Sequence, residues 1–172
     1  MVIKFKKLRD DVILPKKATP LSVGYDLYVC EDVVVPEGRM VIPLGFALEM
    51  PEGFEAKIEP RSGFSAKGIE GYSVVVSPDV AEDYDTPFEG SWRRFDKSDR
   101  FDADVLVGKI DPDYIGEIGL IIKNNDEQFL IAKGTRIAQM TFYQTYSPTI
   151  EEVDELTKTM RGDGGFGSTG TN

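Results

Sequence analysis

The residues best suited to chemistry lie in one stretch, Gly108-Lys-Ile-Asp-Pro-Asp-Tyr-Ile-Gly-Glu117, where three acids, two glycines and a proline surround a single tyrosine. Apolar runs flank it, Val105-Leu-Val before and Ile118-Gly-Leu-Ile-Ile after, so the pattern predicts a tight β-hairpin. A stiff support of that kind holds the carboxylate of Asp111 and the ring of Tyr114 in place, as a site must that grips a flat ligand and activates a water. Taken alone, the same residues also make an ordinary polar turn.

Composition narrows the chemistry. The chain has no histidine, which excludes Ser-His-Asp and Cys-His catalysis and the common zinc sites. A general base must therefore be a carboxylate, a lysine or the lone thiol, Cys30, and a metal must be a hard, oxygen-liganded ion such as magnesium. The net charge of −10 and pI near 4.6 argue against direct nucleic-acid binding, so phosphate must be held locally. One cysteine excludes an intramolecular disulfide and suits a reducing compartment. With no apolar run near roughly 20 residues and no signal-peptide pattern at the start, the expectation is a cytoplasmic protein (host-cell cytoplasm for a viral one) that does not engage membranes. A length of 172 residues suits one domain.

Four other segments carry functional groups. In Ser22-Val-Gly-Tyr-Asp-Leu27, Asp26 follows a glycine and a tyrosine at a strand start, where it either meets a metal-bound water or caps a turn. In Glu59-Pro-Arg-Ser-Gly-Phe-Ser-Ala-Lys-Gly68, Pro60 ends a strand, Ser62 is the expected N-cap of a short helix, and Gly68 stops it. Free N–H groups at such a start bind phosphate, Arg61 adds a two-pronged donor, and Lys67 offers a second charge. A capped surface turn is the plainer reading. Lys133–Tyr143 runs from a turn into a buried strand, and Gln139 inside it needs a partner, backbone or ligand, because a buried unpaired amide costs roughly 1–3 kcal/mol. The tail, Arg161-Gly-Asp-Gly-Gly-Phe-Gly-Ser-Thr-Gly-Thr-Asn172, is too glycine-rich to pack a core, yet it offers a guanidinium, an aromatic ring and hydroxyls, as a lid over a phosphorylated aromatic ligand would. Its formal G-x-G-x-x-G match is rejected, because no strand precedes it in a βαβ unit.

The elements that must position these groups read as many short strands with little helical periodicity, separated by turns such as Pro36-Glu-Gly and Pro51-Glu-Gly. Asn124-Asn-Asp-Glu reads as the turn of another hairpin. The expected fold class is all-β, a distorted β-barrel or jelly roll with one short helix and an extended C-terminal arm. We expect residues 1–146 as the barrel domain and 147–172 as the arm. Residues 69–104, aromatic and highly charged without a clean period, are expected as an inserted excursion or flap, or a solvated loop with a few anchors.

The five segments together, with Gly134-Thr-Arg-Ile-Ala-Gln-Met as the fourth, resemble the five motifs of the homotrimeric dUTPases in the same order. The resemblance implies a jelly-roll-like subunit and a homotrimer whose active sites are shared between chains, each closed by a neighbour's arm. It implies hydrolysis of dUTP to dUMP and pyrophosphate, limiting uracil incorporation into DNA and supplying dUMP for thymidylate synthesis. Asp111 would be the catalytic base that activates a water against the α-phosphorus. Tyr114 would pack under the deoxyribose and exclude UTP, and the backbone of Gly108, Lys109 and Ile110 would read the uracil edge. Arg61, Ser62, Gly63 and Gln139 would hold the phosphates, with Arg161, Phe166, Gly167 and Ser168 closing over them and Phe166 stacking on the base. Mg2+ would bridge the phosphates, touched by Asp26 only through water.

Val23, Ile115 and Met140 depart from the residues common in these motifs, and the missing arginine at 115 puts a subunit-boundary ion pair in doubt. The segment 69–104 is far longer than the family usually has there, so a protein partner through it is an alternative role. A dCTP deaminase relative is the other alternative, but the glutamate that such chemistry needs falls on Ile121.

Overall fold

The computed structural model describes residues 2–76, 92–94 and 97–164. The described residues form fifteen strands and one helix: β1 (Lys4–Lys7), β2 (Lys16–Lys17), β3 (Tyr25–Tyr28), β4 (Val33–Val35), β5 (Gly38–Pro43), β6 (Phe46–Glu49), β7 (Phe54–Pro60), α1 (Ser62–Lys67), β8 (Ile69–Val76), β9 (Trp92–Arg94), β10 (Asp99–Phe101), β11 (Ala103–Leu106), β12 (Gly108–Ile110), β13 (Gly119–Asn124), β14 (Phe129–Ile131) and β15 (Arg136–Gln144). All described pairings are antiparallel. They make four sheets: β1-β6; β10-β8-β14-β4 with β9 also on β8; β11-β13-β5; and β12-β7-β15-β3-β2. The fold is all-β and jelly-roll-like, and no closed barrel forms among the described residues.

One core joins the sheets. β13 alternates half-buried and buried along its whole length, so Leu120 and Ile122 go inward while Ile121 faces out, the period of two that a half-buried strand requires. Phe46, Ile42, Leu27, Ile58 and Phe129 meet the same interior from different sheets, and the Phe101 and Phe129 rings stack at 4.3 Å. Gly68 closes α1 with φ +76, and a Cβ there would lie 2.4 Å from the Phe101 carbonyl oxygen.

Two local expectations are corrected by the pairing. The turn after Asn124 joins no hairpin, since β13 lies between β11 and β5 whereas β14 lies between β8 and β4. The buried amide of Asn124 explains the corner: its Nδ2 donates to the carbonyls of Val35, Pro36 and Glu127, tying the chain to the β4–β5 connection instead of letting it fold back. The stretch around Asp111 is also no tight hairpin. β11 and β13 do pair, Leu106 opposite Ile121, but the connection between them carries β12 away to pair with β7.

The described flanks of 69–104 belong to the body. β8 packs on β14 and starts with the fully buried Ile69, while β10 returns antiparallel on β8 with Arg100 opposite Glu70. After Thr145, whose N–H donates to the Gly53 carbonyl, residues 146–163 are exposed and form no helix or strand. Among the described residues no helix is long and apolar enough to cross a membrane.

Candidate active site

β7 measures the site. Arg61 and α1 follow its C-terminal end, while β12 runs antiparallel beside it with Ile110 opposite Ala56, which brings Asp111 to the level of Glu55. From Glu55 to Arg61 is about 20 Å of strand at ~3.3 Å per residue. The candidate residues accordingly divide between two clefts. One, of about 550 Å³, is lined by Asp26, Arg61, Ser62, Gly63, Gln139 and neighbours; the other, of about 370 Å³, by Gly108, Lys109, Ile110, Asp111, Tyr114 and neighbours.

In the larger cleft Asp26 is nearly buried and engaged on both oxygens, Oδ1 by Arg61 Nε at 3.3 Å and Oδ2 by Arg136 Nη1 at 3.3 Å. A second bond runs from Arg61 Nη1 to the Arg136 carbonyl at 3.1 Å, so the guanidinium is held before any ligand arrives. Gln139 finds the backbone: its Nε2 donates to the Pro60 carbonyl at 3.1 Å, and its side chain fills the space a Cβ on Gly24 would need. Gln139 thus fixes the strand end from which Arg61 projects. The N-cap of α1 is Arg61, with φ −82 and ψ 136, and Ser62 is the first helical residue. The Arg61 carbonyl accepts from Phe64 and Ser65, which leaves the N–H groups of Ser62 and Gly63 with no partner inside the helix.

The smaller cleft is built differently. A turn closes between the Asp111 carbonyl and the Tyr114 N–H at 3.2 Å, and Tyr114 Oη donates to the Glu117 carbonyl at 2.9 Å. Gly116 is packed under that ring, for a Cβ there would sit 2.6 Å from Tyr114 Oη. Glu117 Oε1 accepts the Gly45 N–H at 2.9 Å, pinning the turn to the β5–β6 corner. Lys57 and Lys109 lie opposite each other on β7 and β12, and Glu55 separates them, with Oε2 2.6 Å from Lys109 and Oε1 3.2 Å from Lys57. The hydrogen bond from Lys109 holds the Glu55 carboxyl below the usual carboxylate range, and the same bond raises the Lys109 ammonium. The Asp111 side chain is exposed and carries neither a hydrogen bond nor a close ion pair among the described residues, its charge acting only on nearby Lys109; of the other carboxylates lining the two clefts, Asp26, Glu70 and Glu117 are all engaged. Cys30 lines neither cleft; it is buried, burial pushes its thiol up, and its Sγ faces the Pro43 carbonyl, which removes it as a base.

Arg161 is exposed and bonds only locally, Nε to the Gly164 carbonyl at 2.9 Å, while Phe166, Gly167 and Ser168 lie outside the described residues. Three participants escaped the sequence reading. Arg136 did so because plain alternation puts it on the opposite face from Gln139; a β-bulge between Arg136 and Ala138 restores it to the Asp26 side. Glu55 looked like a surface residue of an alternating strand. Arg100, which lines the larger cleft, sits in the stretch with no readable period, and its register on β8 is what reveals it.

The similarity of this chain to known proteins identifies its family. The family model described as dUTPase matches residues 10–83 and 101–170. The deoxyuridine 5'-triphosphate nucleotidohydrolase of Hydrogenobaculum sp. (strain Y04AAS1) is 40% identical over 173 residues, covering 99% of both chains. That of Arabidopsis thaliana is 37% identical over 97% of this chain and 82% of its own. A solved structure of a Staphylococcus bacteriophage 80alpha dUTPase mutant with dUpNHpp superposes with a TM-score of 0.74 over 99% of both chains; at 24% identity that likeness shows the fold. Because the family match spans most of the chain, takes in every lining residue of the two clefts except Arg100 and runs on into the glycine-rich arm, the chain belongs to the dUTPase family.

Proposed function

We propose that the protein is a dUTP diphosphatase that hydrolyses dUTP to dUMP and pyrophosphate, with Asp111 as general base. The carrying observation is that, among the described residues, the Asp111 carboxylate alone of those lining the two clefts has no hydrogen bond and no close ion pair. It takes a proton from water as the water oxygen bonds to the α-phosphorus; the bond from that phosphorus to the bridging oxygen breaks, and pyrophosphate leaves with the electron pair. Tyr114, tied to the Glu117 carbonyl, packs under the sugar and leaves no room for a 2′-hydroxyl. The backbone of Gly108, Lys109 and Ile110 reads the uracil edge. Arg61 and the N–H groups of Ser62 and Gly63 hold the phosphates, with Gln139 setting the loop that carries them and Arg161, Phe166, Gly167 and Ser168 closing above.

A proton-transfer base must come within about 3 Å of its water, whereas Asp111, level with Glu55, and Arg61 stand at opposite ends of β7, about 20 Å of strand apart. This separation supports sites built from two subunits of a homotrimer, Asp111 and Tyr114 from one and Arg61 from the next. The 17 residues from Thr145 to Arg161 reach at most about 55 Å, enough for the arm to serve a neighbour.

The donor set bears on magnesium. Among the described residues no three His, Cys, Asp or Glu side chains form a metal cluster, and both Asp26 oxygens face arginines. Magnesium would enter as part of the substrate, with the triphosphate, and Asp26, its oxygens held by the two arginines, would reach it only through water. Its charge offsets phosphate repulsion. In the cell, which we take to be the cytoplasmic compartment, the activity would limit uracil in DNA and supply dUMP for thymidylate synthesis. The position that a deaminase glutamate would occupy is Ile121 in the smaller cleft, which cannot move a proton.

Hydrolysis in ¹⁸O-water tests the mechanism. The label should enter dUMP and not pyrophosphate, and Asp111→Asn should lower kcat by about 10²- to 10⁴-fold with dUTP binding retained. Label in pyrophosphate, or full activity of the variant, would refute it.

A further inference from the structure

We propose that Arg100 is a specificity-determining residue that grips the terminal phosphate of the triphosphate held at Arg61, so that the site tells dUTP from dUDP. The proposal rests on the hydrolytic reading above. Arg100 belongs to β10, in the 84–100 stretch that the family match leaves out, and it lines the same cleft as Asp26, Arg61, Ser62 and Gly63.

Its guanidinium is held on a strand rather than a loop. Nη2 lies 3.2 Å from Glu70 Oε2 and Nη1 donates to the Gly68 carbonyl at 3.2 Å. The other Glu70 oxygen accepts from Ser98 Oγ at 3.2 Å, so the carboxylate that orients Arg100 is itself oriented. The guanidinium carbons of Arg61 and Arg100 lie 5.3 and 5.8 Å from the centroid of the Phe64 ring, which makes that ring a shared platform for two cations in one groove.

Charge and order along the groove favour a phosphate. Arg61 is already matched by Asp26 and Arg100 by Glu70, while Lys67, beside Arg100 in the lining, has no ion pair among the described residues. A guanidinium has five N–H donors, and the contacts named occupy two of those of Arg100. Phosphates anchored at Arg61 and the start of α1 reach Arg100 and Lys67, at the far end of that helix about 9 Å on, only with the end of the chain. The α-phosphorus must meanwhile stay at the open mouth to meet Asp111 of another subunit.

Binding of α,β-imido-dUTP, dUDP and dUMP with Mg2+, measured by calorimetry on the full-length protein and its Arg100→Ala and Arg100→Lys variants, tests this. Arg100→Ala should weaken imido-dUTP by roughly 10- to 100-fold and the other two less than about twofold, with partial rescue by lysine. Equal losses for all three nucleotides would make Arg100 a structural tie, and no loss for any would remove it from the site. Should Arg100→Ala fold poorly, Glu70→Gln, which loosens Arg100 without deleting it, must show a smaller loss confined to imido-dUTP, and a uniform loss would overturn the proposal. If the wild type bound and hydrolysed no dUTP, the hydrolytic reading would fall. Wild-type turnover with unchanged selectivity in the variants sinks the Arg100 proposal alone.

Discussion

The two ends of β7 are built on opposite plans. At the Pro60 end charge is neutralised in advance, with Asp26 spanning Arg61 and Arg136 and Gln139 tied to the strand itself. At the Glu55 end two lysines share one carboxylate, and Asp111 beyond them stands in solvent unpaired. A cleft meant for phosphates gains from cations fixed beforehand, because little reorganisation remains when the ligand arrives. A base is useful only while its lone pairs are free. On the shared-site reading proposed above, each chain would carry a preorganised phosphate receptor at one end and, at the other, a free carboxylate that a neighbouring subunit's receptor would complete.

The largest expected effect is complementation. Arg61→Ala and Asp111→Asn chains, each nearly inert alone, should regain activity when refolded together, since about one site in four then has both intact halves in a randomly mixed ring. No recovery in verified mixed trimers would place both groups in one chain's site and erase the contrast between the ends. Next, truncation after Met160 should lower kcat/KM on the order of 100-fold without moving the melting temperature, because the last strand ends at Gln144 and the removed residues that are described, Arg161–Asp163 among them, are exposed and outside the core. A lowered melting temperature would show the arm to be structural. Tyr114→Ala should reduce dUTP-over-UTP selectivity by roughly 10- to 100-fold, and unchanged selectivity would move sugar recognition away from the Glu55 end.

The smallest effect is a matter of pH. Because Lys109 depresses the Glu55 carboxyl, the stabilisation it gives is complete above the ordinary glutamate range and lost as pH falls through the lowered value. The melting-temperature gap between wild type and Glu55→Gln should stay constant above about pH 5 and close below about pH 4. A gap that widens on acidification would reverse the sign assigned here.

Much of this was legible in the sequence, for physical reasons. Motif residues such as Arg61 and Asp111 stand beside prolines and glycines that punctuate strands, and the strands alternate cleanly enough to give an all-β fold, as in β13. What stayed hidden depends on which strands become neighbours. Nothing local tells that Asn124 turns a corner instead of closing a hairpin, because its three carbonyl partners include two that lie far off in sequence. Lys57 and Lys109 look like unrelated surface charges until β12 is laid on β7 and Glu55 falls between them. The N-cap was misplaced by one residue because Ser62 has the preferred side chain but not the conformation, which Arg61 adopts.

The bulge in β15 makes that strand intolerant of any change in length. Ahead of it Arg136 points toward Asp26; beyond it Gln139 and Tyr143 share the polar face while Ala138 and Met140 go to the core. Loss of a single residue at Ile137 would invert the downstream order, driving an amide and a phenol inward and turning two apolar side chains out. Drift by insertion or deletion is thus barred from these nine residues and left to the connections around them.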